Sequence, residues 1–306
     1  MVLRIRYLEY NDFLNDKNTV ICLGYFDGMH LAHVNLIEEA KKIAEEKGIS
    51  LAVFTFSMNI KAYLSQERHR CLTTIEDKAE VCKKLGVDQL YVMRVNQHLV
   101  HMSAKEFIDR FLSDANTVVV GFDFRFGYKG EGDRNLLKHC RKFETVVVPE
   151  MKYLDLKIGS TRVKANLLDG NLDIANHLLG RNYAIKGLVV SGRGIGKRLG
   201  YPTANIDYMP YILPKSGVYY TCVIFNGKRY PGITNIGNKP TYFGLPLTVE
   251  THVFNINRNL YNELIEIEFV EYLRPEMKFT TEAELTEQIF KDIKYVENKF
   301  KGVNHA

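Results

Sequence analysis

The first half of the chain alternates between short apolar segments and segments with the apolar spacing of a helix. The apolar segments are Val20–Leu23, Leu51–Phe56, Gln89–Val95, Thr117–Val120 and Glu144–Val148. The helical segments between them are Leu36–Lys47, Ile75–Leu85 and residues 103–112. Strands that alternate with helices form parallel sheets with helices on both faces, so we predict a doubly wound α/β domain.

The pattern changes after residue 160. Residues 161–180 keep a helical spacing, and short alternating segments separated by glycine and proline follow from about Tyr183 to Arg274. These segments predict a small closed β-barrel, and Glu282–Phe300 predicts an amphipathic helix after it. The predicted barrel strands are Ala184–Ser191, Gly217–Phe225, Lys228–Ile236, Leu247–Phe254 and Leu264–Val270. We therefore expect two domains, residues 1–182 and 183–306.

Composition restricts the classes of protein that the chain can belong to. Its 306 residues are 46% hydrophobic and 25% charged, as in ordinary globular proteins. A net charge of +5 suits phosphorylated small molecules and is too weak to indicate nucleic acid. The five cysteines form no C-x-x-C pair, and there is no signal peptide or long apolar run. We expect a cytoplasmic protein that binds neither nucleic acid nor membranes.

Two histidines follow the first apolar segment, in "GYFDGMHLAH" at residues 24–33. Gly24 lets the backbone approach a phosphate, and the N-terminus of the next helix offers unpaired N–H groups. His30 and His33 can add donors or charge. This combination suits nucleotidyl transfer, in which a phosphate attacks the α-phosphate of ATP and displaces pyrophosphate. The alternative is that both histidines are simply partly exposed residues at a helix start.

Two further polar clusters are predicted at the same edge of the sheet. "VVVGFDFRFG" (118–127) brings Asp123, Phe124 and Arg125 to the end of a strand. "IGSTRVK" (158–164) brings a second anion-binding geometry to a helix start. Its polar residues are Ser160, Thr161, Arg162 and Lys164. Three such clusters at one edge favour a nucleotide site over isolated surface residues.

The predicted barrel contains a glycine-rich basic stretch, "GRGIGKRLGYPTANID" (192–207), which can fold over phosphates. It has no Walker A spacing. Thr203 and Asn205 alternate along an extended segment, so both can face one side and offer the oxygen ligands that Mg²⁺ accepts. The alternative is a glycine-rich hairpin with solvated charges. The glycines and the basic residue concerned are Gly192, Gly194, Gly196, Lys197 and Gly200.

These motifs resemble those of the bifunctional riboflavin kinase/FAD synthetases of bacteria. The first domain of that family has G-x-F-D-G-x-H-x-G-H, G-x-D-F-x-F-G and I-S-S-T-x-x-R. Its second domain has G-x-x-x-G-x-x-L-G-x-P-T-A-N, which this chain carries in full. Segments 232–244, 249–255 and 269–279 resemble further parts of the kinase domain, and the matches run in order across nearly the whole chain.

The resemblance implies a nucleotidyltransferase domain followed by a barrel kinase, with ATP, riboflavin, FMN and FAD as substrates or products and Mg²⁺ as cofactor. It implies that His30 and His33 contact ATP phosphates, and that Glu250 accepts the proton of the riboflavin 5′-hydroxyl. ATP would bind through Gly24, Phe26, Asp27, Ser160, Thr161, Arg162, Lys164, Gly192, Gly194, Gly196, Lys197, Gly200, Pro202 and Thr203. Thr203 and Asn205 would hold the metal. The flavin would lie near Asp123, Phe124 and Arg125 in the first domain and near Arg274 in the second.

The chain departs from the family pattern mainly in the first domain. Ala32 and Gly159 replace a glycine and a serine, Lys164 and Gly130 replace arginines, and residues 58–60 replace P-H-P. One alternative is therefore a riboflavin kinase with a weakened or inactive adenylyltransferase domain. Another is a flavin-binding regulator without turnover, in which Glu250 would be an ordinary solvated strand carboxylate.

Overall fold

The computed structural model describes residues 2–66, 69–192, 196, 200–237, 247–256 and 258–303. It divides into two compact units, Met1–Ser160 and Thr161–Ala306. Gly194 and Lys197, two predicted site residues, lie outside the described residues. In the part of the chain that is described, no helix has the length and apolar character needed to cross a membrane.

Among its described residues, the first unit has ten strands, six α-helices and a short 3-10 helix at Tyr128–Gly130. The strands are β1 (Arg4–Leu8), β2 (Thr19–Leu23), β3 (Ser50–Phe56), β4 (Gln89–Met93), β5 (Thr117–Gly121), β6 (Arg125–Phe126), β7 (Gly132–Asp133), β8 (Glu144–Val148), β9 (Lys152–Tyr153) and β10 (Leu156–Lys157). The helices are α1 (Leu31–Lys47), α2 (Ile60–Ser65), α3 (Ile75–Leu85), α4 (Gln97–His101), α5 (Ala104–Phe111) and α6 (Arg134–His139).

Six of these strands form a parallel sheet in the order β1-β4-β3-β2-β5-β8. Alternate residues of β2 belong to different apolar clusters: Ile21 and Leu23 to one, Val20 and Cys22 to the other. Because successive strand residues point to opposite faces, both faces of the sheet are covered. The prediction of a doubly wound sheet is confirmed. The edge strand β1 was not predicted, since four of its five residues are exposed and it has no apolar run.

The described residues of the second unit include three longer helices and six strands. They are α7 (Ser160–Asp169, beginning at the last residue of the first unit), α8 (Leu172–Leu179), β11 (Tyr183–Val190), β12 (Ala204–Asp207), β13 (Gly217–Phe225), β14 (Lys228–Gly237), β15 (Thr248–Val253), β16 (Leu264–Arg274) and α9 (Glu282–Val303). The predicted single helix over 161–180 is two helices, because the chain turns at Gly170 with a left-handed φ of 87°.

The strands of the second unit form a closed antiparallel barrel in the order β11-β12-β15-β14-β13-β16. The predicted barrel and terminal helix are confirmed, and β12 is a sixth strand that the sequence did not predict. β12 has only four residues, two of them the polar Asn205 and Asp207, so it lacks an apolar signal. On the outside of the barrel, Val296 of α9 is fully buried against Tyr220 and Phe254.

The compact units divide after Ser160, the first residue of α7, whereas the sequence led us to divide the chain at residue 182. Hydrogen bonds explain the difference. The Asn176 side chain in α8 donates to the Phe269 carbonyl at 3.0 Å and accepts from the Tyr183 N–H at 2.7 Å. Both partners are barrel residues, so α8 is fixed to the barrel although its sequence reads as the last helix of the α/β domain.

Three threonine hydroxyls form a hydrogen-bonded row inside the barrel. The Thr234 Oγ1 lies 2.8 Å from that of Thr221 and 2.7 Å from that of Thr251, and all three side chains are fully buried. A buried hydroxyl that loses its hydrogen-bond partner destabilises the folded state, because its lost hydration is no longer compensated. The central hydroxyl therefore supports two neighbours and the terminal ones support one each.

We expect Thr234→Val to destabilise the barrel by about 1–3 kcal/mol, because it removes a partner from two buried hydroxyls. Thr221→Val should cost less, since it affects one neighbour. Scanning calorimetry of the full chain measures both, with the exposed Thr280→Val as control. Equal losses for Thr234→Val and Thr221→Val would show that the row does not act as described.

Candidate active sites

The first candidate site lies at the carboxyl end of β2. β3 and β4 lie on one side of β2 in the sheet, and β5 and β8 lie on the other side. The direction in which strands are added therefore reverses at β2. Such a reversal opens a crevice beyond the carboxyl ends of the strands, which is where parallel sheets bind ligands. The turn at residues 24–30, which we name the histidine turn, begins at this point and leads into α1.

The histidine turn has an unusual backbone. Phe26, Gly28 and Met29 have φ values of 55°, 86° and 43°. These values lie in the left-handed region, which residues other than glycine rarely adopt. Phe26 and Met29 are fully buried, so packing holds them there. A Cβ on Gly24 would lie 2.9 Å from the Phe26 ring, which explains why glycine occupies that position.

The buried Asp27 carboxylate anchors the histidine turn to the segment before α3. Its Oδ1 accepts from the backbone N–H groups of Leu72 at 2.7 Å and Thr73 at 3.3 Å. The Gly28 N–H donates to Thr73 Oγ1 at 2.8 Å, and the Ser160 hydroxyl donates to the Asp27 carbonyl at 2.7 Å. The sequence led us to expect that Asp27 contributes to ATP binding; in the structure its Oδ1 is engaged by backbone donors inside the fold.

The two histidines form a stacked pair at the start of α1. Their ring centroids are 3.6 Å apart, His30 caps the helix, and the edge of the Phe26 ring meets His33. Burial lowers the pKa of the His33 imidazole well below its usual value, and positive charge on His30, Lys78 and Lys157 lowers it further. His33 is therefore neutral near pH 7, a form in which one ring nitrogen can donate a hydrogen bond and the other can accept one.

The loop after β5 carries the next predicted residues. The Asp123 carboxylate is paired with the Lys157 ammonium of β10, which also lies 4.7 Å from the centroid of the Phe122 ring. Phe124 stacks on the buried Phe126 at 5.7 Å, while Arg125 is exposed. β5 neighbours β2 in the sheet, so this loop leaves the same edge as the histidine turn.

The remaining predicted residues of the first cluster lie at the start of α7. Ser160 contacts the histidine turn through the hydrogen bond given above. Thr161, Arg162 and Lys164 follow in the first turns of the same helix and belong to the second compact unit. At other positions where the chain departs from the family pattern, Asn59 caps α2 by accepting from two backbone N–H groups, and Gly130 has a left-handed φ of 70°.

The second candidate site is a row of side chains across the outer face of the barrel. Glu250 of β15 lies opposite Asn205 of β12 on one side and Asn235 of β14 on the other. Directly opposed residues of antiparallel strands share a face, so these three side chains form one row. Asn235 in turn lies opposite Val218, and Val218 opposite Arg274.

A cavity of about 320 Å³ lies between this row and α9. Its polar wall includes Thr203, Asn235 and Glu250. Its apolar wall consists of Met277, Phe279, Leu285, Ile289 and Ile293. One polar side and one apolar side suit a flat molecule that has a ring system and a polar chain.

Arg274 is fixed at one end of this cavity by a buried carboxylate of α9. Its Nη2 lies 2.7 Å and its Nε 3.0 Å from Asp292 Oδ2, and Gln288 donates to the other carboxylate oxygen at 2.9 Å. A paired guanidinium has restricted rotamers, so Asp292 and Gln288 define where Arg274 can point. Nearby, the Glu276 carboxylate accepts from Asn235 at 3.4 Å.

A second cavity, of about 440 Å³, is lined by residues 202–205, by one residue of β11 and by residues of β15 and the segment after it. Thr203 lines both cavities, whereas Asn205 lines only the second and Glu250 only the first. The second cavity is bordered by Gly192, Pro202 and an apolar group. That group comprises Val189, Val253, Ile256, Leu260 and Tyr261. A Cβ on Gly192 would lie 2.0 Å from the Asn205 amide, so glycine is required there.

The other predicted residues of this region have definite surroundings. A Cβ on Gly196 would lie 2.4 Å from the Tyr201 carbonyl, and Gly200 has a left-handed φ of 85°. The Pro202 carbonyl oxygen lies 2.8 Å from His252 Nδ1, which ties the PTAN segment to β15.

The donor set beside Glu250 can be tested for a divalent metal. No group of three or more His, Cys, Asp or Glu side chains that could hold a metal occurs among the described residues. The Thr203 hydroxyl and the Asn205 amide oxygen are instead the kind of sparse, neutral oxygen donors that accompany Mg²⁺ when nucleotide phosphates supply the rest. The residues present therefore fit a metal that arrives with a nucleotide.

Sequence reasoning missed four polar residues at the two sites: Lys78, Lys157, Asn235 and Asp292. Lys78 and Asp292 are each one of several charged residues in an amphipathic helix. Such residues are typical of a solvated helix face. Asn235 offered a weak signal, since it lies in the segment 232–244 that resembles the family. No local pattern distinguishes Lys157.

Two family models match the chain, one in each half. The model for FAD synthetase matches residues 13–162, and the model for riboflavin kinase matches residues 179–300. The first match covers the parallel sheet and the histidine turn. The second covers the barrel and α9 up to residue 300. The chain thus combines a nucleotidyltransferase-type sheet with a flavokinase barrel.

Full-length relatives have the same two parts. Bifunctional riboflavin kinase/FMN adenylyltransferases from Bacillus subtilis and Listeria monocytogenes are each 38% identical to this chain, and both comparisons cover 92% of it. They cover 93% and 92% of those relatives. A crystal structure described as a macrolide-efflux protein from Streptococcus pneumoniae matches with a TM-score of 0.87 at 28% identity, covering 95% of this chain and 99% of that one. The chain belongs to the bifunctional riboflavin kinase/FMN adenylyltransferase family.

We expect the depressed pKa of His33 to make stability depend on pH. The unfolded chain binds a proton at His33 near pH 6.5, whereas the folded chain binds it only at lower pH. As pH falls below about 6.5, the unfolded state takes up the proton first, so folding stability falls. Urea unfolding of the wild type and of His33→Gln between pH 7.5 and 5 measures this. Loss of stability should be smaller in His33→Gln, and the exposed His139→Gln should match the wild type.

Proposed function

We propose that this chain phosphorylates riboflavin to FMN and then transfers the adenylyl group of ATP to FMN, giving FAD and pyrophosphate. The observation that carries the proposal is the row Asn205–Glu250–Asn235, bordered by two cavities that share Thr203. A kinase needs its two substrates on either side of one short transfer path. The order of the two family matches supports the coupling of this barrel to an adenylylating domain.

In the kinase reaction, riboflavin would occupy the cavity under α9 and ATP the second cavity, beside residues 202–205. Glu250 accepts the proton of the riboflavin 5′-hydroxyl while the hydroxyl oxygen bonds to the γ-phosphorus of ATP. ADP leaves with the electrons of the broken phosphoanhydride bond. Arg274, held by Asp292, would orient the flavin end. The segment 192–200, with Gly192, Gly194, Gly196, Lys197 and Gly200, would cover the nucleotide beside Pro202.

Thr203 and Asn205 would hold Mg²⁺ together with the ATP phosphates. When bound, the metal neutralises charge on the transferring phosphoryl group. The position of Thr203 in the wall of both cavities supports this assignment.

In the adenylylation reaction, an FMN phosphate oxygen attacks the α-phosphorus of ATP and pyrophosphate departs. His30, His33 and the first N–H groups of α1 would stabilise the negative charge that spreads over the phosphates. Asp27 and Phe26 would act by fixing the histidine turn, with Gly24 allowing its close packing. The triphosphate would be bound by Ser160, Thr161, Arg162 and Lys164. The flavin would be bound by Asp123, Phe124 and Arg125.

The cellular setting follows from the same residues. We place the enzyme in the cytoplasm, where free thiols such as those of Cys22, Cys82, Cys140 and Cys222 persist. Its partners would be flavins and nucleotides, without nucleic acid or membrane. We assign adenylylation to residues 1–182 and phosphorylation to 183–306; the family matches over residues 13–162 and 179–300 support the order of the two activities.

A riboflavin kinase without adenylyltransferase activity is the second candidate, favoured by Ala32 in the first turn of α1. Incubation with riboflavin, ATP and Mg²⁺, followed by chromatography of riboflavin, FMN and FAD, separates the candidates. FMN without FAD, even when FMN is supplied, would establish the kinase alone. No FMN at all would leave a flavin-binding regulator.

We expect Glu250→Gln to reduce FMN formation by about 10²–10⁴-fold, because the amide cannot accept the hydroxyl proton. The conversion of supplied FMN to FAD should continue at the wild-type rate. Glu268→Gln is the matched control, because this carboxylate lies on β16, which does not pair with β15, and forms an ion pair with Arg229; it should leave both rates unchanged. Loss of both reactions in Glu250→Gln would contradict two separate sites.

We expect Ala32→Gly combined with Lys164→Arg to raise the rate of FMN adenylylation. Removal of the Ala32 methyl group opens the first turn of α1 to a phosphate, and arginine offers a planar pair of donors. Steady-state rates of FAD formation from FMN check this, with riboflavin phosphorylation as internal control. An unchanged rate would mean that the two departures are neutral.

A further inference from the structure

Lys78 is a buried lysine whose side chain reaches beneath the histidine turn. It lies on α3, is only 2% exposed, and donates from Nζ to the Tyr25 carbonyl at 2.7 Å. The same ammonium lies 3.4 Å from Thr55 Oγ1 and 4.3 Å from the centroid of the Tyr25 ring. The Thr55 hydroxyl also donates to the Tyr25 carbonyl, at 2.9 Å. A buried cation is costly unless donors and acceptors are well placed, so this arrangement needs an explanation.

Lys78 completes a set of hydrogen bonds that docks the histidine turn onto one short segment. Asp27 and Gly28, in the second half of the turn, bond to residues 72 and 73. Lys78 holds the first half at Tyr25, five residues further along that segment. The turn is therefore fixed on both sides of Phe26, whose left-handed backbone needs such support.

We propose that Lys78 is a positioning residue of the adenylylation site: it fixes the Tyr25 carbonyl, and through it the orientation of the stacked His30 and His33. The inference rests on the proposed function of that site. Lys78 acts on the reaction through the histidine turn, not through a contact with the substrates. Fixed geometry matters here because small displacements of catalytic groups reduce rates strongly.

The charge of Lys78 has a second effect, on the protonation of His33. The groups that act on His33 are the Phe26 ring edge, the His30 ring, Lys78 from α3 and Lys157 from β10. Positive charge on these neighbours disfavours a proton on His33. Removal of the Lys78 charge should therefore raise the pKa of His33. Because loosened packing would also raise it, the comparison is with Thr55→Val, which removes a donor to the same carbonyl but no charge and should raise the pKa less.

The test variant is Lys78→Met, which keeps an unbranched side chain of similar length and removes both donor and charge. We expect its kcat for FMN adenylylation to fall by about 10²-fold, with riboflavin phosphorylation unchanged. The NMR titration midpoint of His33 should rise, and the acid limb of the adenylylation pH profile should rise with it. The control is Lys83→Met, an exposed lysine of the same helix, which should leave all three readouts at wild-type values.

Each result decides the proposal. Wild-type adenylylation and an unmoved His33 titration in Lys78→Met would overturn it. If the wild type forms no FAD, the proposed adenylylation fails instead, and the His33 titration still tests the positioning role. If Lys78→Met does not fold, Thr55→Val removes the second donor to the same carbonyl without removing a charge. A several-fold loss of adenylylation in Thr55→Val then supports the proposal, and an unchanged rate overturns it.

Discussion

The first site depends on one buried carboxylate. Asp27 binds two backbone N–H groups of the segment before α3, and this pairing holds three left-handed residues in a turn of seven. Together with the burial of Phe26 and Met29, it offsets backbone conformations that cost about 1–2 kcal/mol each. The stacked histidines, the start of α1 and the bond from Ser160 all build on that turn. The residue most central to the site is thus one that faces the protein interior.

The second site depends on strand register. Glu250 lies on the outer face of the barrel, between Asn205 and Asn235, while its neighbour Thr251 joins the threonine row inside. A shift of one residue in β15 would exchange these two environments and bury the carboxylate among hydroxyls. Closure of the barrel fixes the register, because each strand pairs on both sides. The kinase site therefore depends on the pairing of the whole barrel, whereas the histidine turn depends on a few hydrogen bonds to one short segment.

The sequence predicted the two fold classes, the terminal helix and the family, because apolar periodicity and ordered motifs are local signals. It did not predict β1 or β12, which are an exposed edge strand and a four-residue polar strand. At the two sites, the motifs correctly indicated which strand ends and helix starts carry the polar residues. The surroundings of Asp27 did not, since Leu72 and Thr73 lie 45 and 46 residues away. Lys78 and Asp292 were missed because burial of a single helical charge depends on tertiary packing.

The shared wall between the two barrel cavities has a thermodynamic consequence. Because Thr203 lines both, a molecule in either cavity would contact the same side chain. If the first molecule changes the rotamer of Thr203, it changes the affinity of the second, and such coupling is reciprocal: the factor that one molecule applies to the affinity of the other is returned in full.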